Sequence, residues 1–328
     1  MPPLRTVLLA ACIASACKPT PATTPPTARP DPPSATPPAT PPPPADTPPP
    51  PAEPAARTPP QFPATVYASY PDRKTWIVAI SDLPEADTAA LEKRLAAEPE
   101  SSELELPVGD PTLPPGFAIG DPWTLITRSG SEPQAATGFS AVISGGSGTL
   151  FFTVRLGPAA KSAKGPVLAV RGPTSATAKL VAPAPVRPST LAKTTLPNTV
   201  EAIDPHLEPE IRAVIPKIKF TDKHLKLYPG RFPGGRSHIG FLAAKAPGEE
   251  NATLPVSGLV FAWPDGRVEF FAAAVTWGTA TLLALVDLDG DGLDEILYDD
   301  TYFEGGYVQL IHWTEGRPFT RTLTGDGL

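Results

Sequence analysis

The residues with the densest chemistry are in "DLDGDGLDE", 287 to 295, where carboxylates stand at positions one, three, five and nine: Asp287, Asp289, Asp291 and Glu295. Two carboxylates about 5 Å apart repel by roughly 3 kcal/mol at an effective dielectric near 20, so gathering three or four of them calls for a cation. Gly290 and Gly292 supply the backbone freedom that lets the chain curl and turn alternate oxygens inward. Leu293, at position seven, is placed to add its carbonyl oxygen. Hard oxygen donors with no nearby His or Cys favour Ca²⁺ over a transition metal, so the expected site is Asp287, Asp289, Asp291, Leu293 and Glu295 around a structural Ca²⁺. From Asp287 to Glu304 there are eight acids and no bases, which exceeds the whole chain's net charge of −7.

A helical calcium hand does not fit, because Tyr298 stands where the twelfth-position bidentate Glu belongs and "EILY" reads as a strand. The spacing D-x-D-G-D-G-x-x-E between two β runs resembles instead the loop of FG-GAP or VCBS-type repeats of integrin-like proteins. That resemblance covers about 280 to 324, and it implies a structural Ca²⁺ in a loop joining two strands. Glu295 stands where many members carry Asp, and "TGDGL" at 324 to 328 echoes the motif without its preceding acids. Asp294, Asp299 and Asp300 are expected in outer or solvated positions.

Other chemistry is sparse. The four histidines, His206, His224, His238 and His312, show no H-E-x-x-H and no paired zinc spacing. "GGSGT" around Ser147 fails the nucleophile-elbow pattern, since Thr149 replaces the last Gly. No phosphate or dinucleotide loop is present. Trp263, Trp277, Trp313, Tyr302, Phe303 and Tyr307 either pack in the core or line a carbohydrate-binding face. Lys217, Lys219, Lys223, Lys226, Arg231 and Arg236 form a basic run that reads as a solvated face or as a polyanion patch. The acidic balance argues against nucleic acid as a partner.

The elements that must hold the acidic loop follow from hydropathy. Runs such as "TVYASY", "TWIVAIS", "WTLITR", "GFSAVIS" and "TLFFTVRL" read as strands, as do "LKLY", "HIGFLAAK", "SGLVFAW", "RVEFFAA", "ATLLALV", "EILY", "YVQLIHW" and "FTRTLT". "WPDG", 263 to 266, marks a tight turn and makes 258 to 273 a hairpin. One helix is expected from about Pro84 to Glu98, with Leu91 and Leu95 on one face, and a short one near Asp204 limited by Pro209 and Pro216. The fold class is mainly β: one or two small β-rich modules with one or two short helices. No repeat period supports a full propeller. The expected boundaries are a β-rich module with one helix at 64–181, a Pro, Thr and Ala-rich linker at 182–198, and a β-rich module with the calcium loop at 199–328. Alternatively, 182–198 is a covered loop inside one domain.

The chain has 48 prolines in 328 residues, and 21 of the 46 residues from Lys18 to Pro63 are Pro. That stretch has only Phe62 to bury, so it cannot offset its ordering entropy and reads as a disordered linker. Extended as polyproline II it reaches on the order of 140 Å. Ahead of it, "MPPLRTVLLAACIASACKPT" has one base, Arg5, an apolar run from Val7 to Ala16, then small residues before Cys17. This is the organisation of a signal peptide over 1–16, too short in its apolar run to cross a bilayer. "IASAC" resembles the lipobox of bacterial lipoproteins, which implies cleavage before Cys17 and its lipidation; "LLAAC" before Cys12 is the alternative site. Lys18 after the cysteine implies, by the same resemblance, the outer membrane.

The expected function is therefore an envelope-anchored, calcium-stabilised β-rich binding or adhesion-type lipoprotein, held to the membrane by its N-terminal lipid and facing an envelope protein or polysaccharide. The competing classes are a periplasmic or surface hydrolase with no recognisable motif and a purely structural envelope protein.

Overall fold

The computed structural model describes residues 65–72, 74–97, 103–143, 148–159, 166–186, 190–245, 255–273, 278–302 and 305–326. The signal peptide, both cysteines and the Pro-rich stretch lie outside the described residues. The fold is mainly β and is not a propeller.

Six strands close a barrel in the order β5-β4-β7-β1-β2-β6: β1 (Thr65–Asp72), β2 (Thr75–Ile80), β4 (Pro122–Ile126), β5 (Ser131–Ile143), β6 (Leu150–Leu156) and β7 (Val167–Arg171). Closure depends on the length of β5, whose first half pairs with β4 and whose second half pairs with β6. A short strand, β3 (Glu103–Leu106), adds to β5 beyond β4. In β2 the alternation puts Trp76, Val78 and Ile80 inside. Helix α1 (Glu85–Ala96) starts after Pro84, whose carbonyl accepts the N–H groups of Asp87 and Thr88. Its Leu91 and Leu95, one turn apart, join the barrel core.

The rest of the chain builds two antiparallel four-stranded meanders. The first is β8 (Leu225–Pro229), β9 (His238–Lys245), β10 (Pro255–Ala262) and β11 (Val268–Ala273). The second is β12 (Thr279–Val286), β13 (Glu295–Tyr302), β14 (Gly305–Thr314) and β15 (Arg317–Asp326). The "WPDG" turn joins β10 to β11 as expected, closed by Trp263 N–H to Arg267 O at 3.0 Å.

The second meander is buried on both faces. Ala284, Val286, Leu297, Val308 and Leu310 belong to the same core as the barrel. Leu285, Ile296, Tyr298 and Ile311 point the other way and pack with Phe241, Leu259 and Phe261 of the first meander. This two-sided burial is why "TLLALV" is almost continuously apolar rather than alternating. The outer face of the first meander is covered by helix α2 (Thr190–Ile203), the short helix α3 (Pro209–Arg212) and 3₁₀ turns, through Leu196, Ile203, Leu207 and Ile211.

The stretch 182–198 is expected as a linker or as a covered loop; just before it Val181 bridges to Leu285, and within it Val186 N–H donates to Leu227 O at 2.7 Å. From Thr190 it is helical, with Pro197 inside the helix. Thr199 Oγ1 bonds back to Thr195 O, and Leu196 and Ile203 lie seven residues apart on the buried face. Tertiary burial overrides poor helix propensity here.

Candidate metal centre

The acidic loop is the β12–β13 connection. Val286 and Glu295 are register partners, so 287 to 294 leave and re-enter the sheet at adjacent positions. Within that loop Asp287, Asp289 and Asp291 each bring a carboxylate oxygen within 4.8 Å of the others. This group could hold a metal ion.

Backbone amides shape the cluster. Gly290 N–H and Gly292 N–H donate to the two oxygens of Asp287 at 2.7 and 3.1 Å. Asp291 N–H donates to Asp289 Oδ1 at 3.1 Å, and Leu293 N–H to Asp291 Oδ1 at 2.7 Å. Both glycines are left-handed, with φ of 81° and 86°, so the backbone freedom read from the sequence is used. A Cβ on Gly290 would sit 3.2 Å from Ser175 Oγ, in the turn after β7.

Glu295 is not part of the trio. It opens β13 nearly fully buried, at 1% exposure, and its Oε2 accepts Leu288 N–H at 2.8 Å. Burial first, and then the charges of Asp289, Asp291 and Asp287, push its carboxyl up to about 9. Asp289 is also raised, chiefly by burial. Leu293 is half-buried in the loop.

The loop is not without a base, although no Lys or Arg stands near it in sequence. Arg231, in the β8–β9 connection, has Nη2 3.1 Å from Asp294 Oδ1 and 3.8 Å from Asp287 Oδ2. The backbone is tied as well: Arg231 N–H donates to Asp294 Oδ2 at 2.7 Å, and Asp294 N–H to Arg231 O at 2.8 Å. Trp313 Nε1–H donates to Asp294 O at 2.9 Å. Asp294 thus sits outside the trio as an anchor, tied to Arg231 and Trp313. Asp300 is buried too, at 5% exposure, whereas Asp299, half-buried on β13, accepts Thr301 Oγ1–H.

The donor chemistry fits a hard cation: three converging carboxylates with a fourth acid buried beside them. Sequence spacing identified Asp287, Asp289 and Asp291. It missed the approach of Arg231 and Ser175, which come from connections 63 and more than 100 residues away and carry no local signal.

Elsewhere the four histidines make contacts within the fold. His206 stacks on Phe270 at 3.8 Å, His224 Nδ1 accepts Thr221 N–H, His238 Nδ1 lies 2.8 Å from Ser237 Oγ, and His312 stacks near Phe319. Trp313 packs on Phe232 and Phe261. Trp263 sits beside Arg236 and Arg267 and donates to Gly234 O. Ser147, Trp277, Phe303 and the side chain of Tyr302 lie outside the described residues. Of the basic run, Arg231 and Arg236 pair with Asp294 and Glu269, while Lys217, Lys219, Lys223 and Lys226 are exposed. No helix among the described residues is long and apolar enough to cross a membrane.

No family model matches the chain, and neither the curated proteins nor the solved structures give a match.

Proposed function

We propose that the protein is a calcium-stabilised, lipid-anchored β-rich binding module of the bacterial cell envelope, with no catalytic role. The observation that carries this reading is the convergence of Asp287, Asp289 and Asp291 at the junction of the barrel and the two meanders. A hard divalent cation there neutralises the repelling carboxylates and fixes the loop, which stabilises the folded state by linkage. The D-x-D-G-D-G-x-x-E spacing and all-oxygen donors support Ca²⁺, and its resemblance to FG-GAP or VCBS-type loops supports a structural role.

The anchor and spacer are read from residues 1 to 63. The lipobox-like "IASAC" supports lipidation of Cys17, and Lys18 supports the outer membrane. Several acyl chains give stable anchoring where one gives marginal binding. A long Pro-rich spacer serves a module that must reach a partner, which we take to be an envelope protein or polysaccharide.

The test is capture by the full-length chain of peptidoglycan, envelope polysaccharide and envelope proteins, with calcium and with chelator, alongside labelling by a clickable fatty acid. Calcium-dependent capture of one partner, and labelling lost in Cys17→Ser, are expected. Turnover of an ester, peptide or glycoside, abolished by a single His or Ser substitution, would replace this reading with an enzyme. Labelling lost only in Cys12→Ser would move the anchor.

A further inference from the structure

The loop carries its own cation. We propose that Arg231 is the resident counter-charge of the acidic loop, letting it fold without metal and holding its calcium affinity down so that occupancy follows the ambient ion concentration. This rests on the calcium reading of Asp287, Asp289 and Asp291.

Three observations carry it. First, Arg231 is held at both its backbone and its side chain: its N–H and its guanidinium both bond the Asp294 carboxylate, and its carbonyl accepts the Asp294 amide. Asp294 is fixed in turn by Trp313. A side chain tethered this way stays at the loop rim. Second, its Nη2 is 3.8 Å from Asp287 Oδ2, and Asp287 is the acid that organises the loop by accepting two amides. The guanidinium therefore offsets one of the charges that the metal would neutralise. Third, the Arg231 side chain is 62% exposed while Asp287 is 20% exposed. The guanidinium therefore reaches the cluster from its solvent side.

The consequence for binding is electrostatic. A divalent ion arriving at the trio meets a fixed positive charge beside one of its donors. In a water-like medium, a single and a double charge about 6 Å apart repel by an energy worth on the order of tenfold in affinity. Salt near 1 M shortens the screening length to about 3 Å and removes most of that difference. Without metal the same charge works the other way, easing the repulsion among Asp287, Asp289 and Asp291.

The experiment is isothermal titration of the full-length chain with calcium alone, together with thermal melts in chelator, for wild type, Arg231→Gln and Arg231→Lys. At low salt Arg231→Gln is expected to bind calcium about tenfold tighter and to melt lower in chelator, with the affinity gain shrinking at high salt; Arg231→Lys should keep wild-type affinity. Arg231→Gln binding no tighter than wild type, or a gain that does not depend on salt, overturns the proposal while leaving the calcium site intact. Wild type giving no calcium heat and no calcium-dependent melt removes the site and this proposal together. A Gln variant that folds only with calcium supports the proposal. Should it fold in neither buffer, Arg231→Lys decides: unchanged affinity supports the role of charge, and a tightening overturns it.

Discussion

Ser175 N–H donates to Leu288 O across 2.7 Å, which ties the turn leaving the last barrel strand to the acidic loop of the second meander. The same turn puts Ser175 Oγ against the face of Gly290, so barrel and loop meet where a side chain on residue 290 would have to fit.

Gly290→Ala should therefore lower stability by about 1–2 kcal/mol, because an L residue at φ of 81° is strained and its Cβ meets Ser175 at 3.2 Å. Urea midpoints report it. An unchanged midpoint would mean that this junction is loose.

The barrel and the second meander share one core, so they should unfold together. Leu297, fully buried in that core, is expected to cost about 2–5 kcal/mol as Leu297→Ala. Far- and near-ultraviolet circular dichroism should trace one transition in both proteins. Two separated transitions in wild type would show the barrel and meander to be independent.

Glu295 has two separable roles. Glu295→Ala orphans Leu288 N–H in a buried place and should cost about 1–3 kcal/mol. Glu295→Gln keeps an acceptor for Leu288 N–H and, because the buried carboxyl is raised to about 9 and is protonated near neutral pH, removes no charge in chelator; it should melt no lower than wild type there, while its gain from added calcium shrinks. A Gln variant that melts as low as the Ala variant contradicts that separation.

His238, half-buried on β9, has its pKa lowered by burial from the ordinary 6.5. Folded, it binds fewer protons than unfolded across the window below about 6.5, so its contribution to stability is present above that pH and is lost as pH falls. Urea midpoints from pH 7.5 to 5 should fall less steeply in His238→Gln than in wild type. Parallel slopes would assign the acid sensitivity to other groups.

The sequence made the strands legible where apolar runs are bounded by turns, and all eight strands of the two meanders were expected from such runs. It made β3, the first half of β5 and β7 hard to see. "ELEL" is four residues long, "SEPQAAT" is polar because β5 there lies at the barrel surface, and "VLAVR" sits beyond the expected strands. Helix α2 was hidden by Pro197 and by four threonines of low propensity, and it holds through Leu196, Thr199 and Ile203 against the first meander. At the loop, spacing carried the trio because all three acids lie within five residues. Arg231 and Ser175 reach it only through tertiary contacts.

Calcium bound by Asp287, Asp289 and Asp291 should stabilise the fold. The most direct measurement is the thermal melt of the full-length chain, in millimolar calcium and in chelator, for wild type and the double variant Asp289→Ala with Asp291→Ala. For an affinity in the range of roughly 10⁻⁴ to 10⁻³ M, 10 mM calcium should add about 1–3 kcal/mol to wild type, a clear rise in Tm, and add nothing to the double variant. Identical wild-type melts in calcium and chelator, or an equal calcium shift in the double variant, would contradict it.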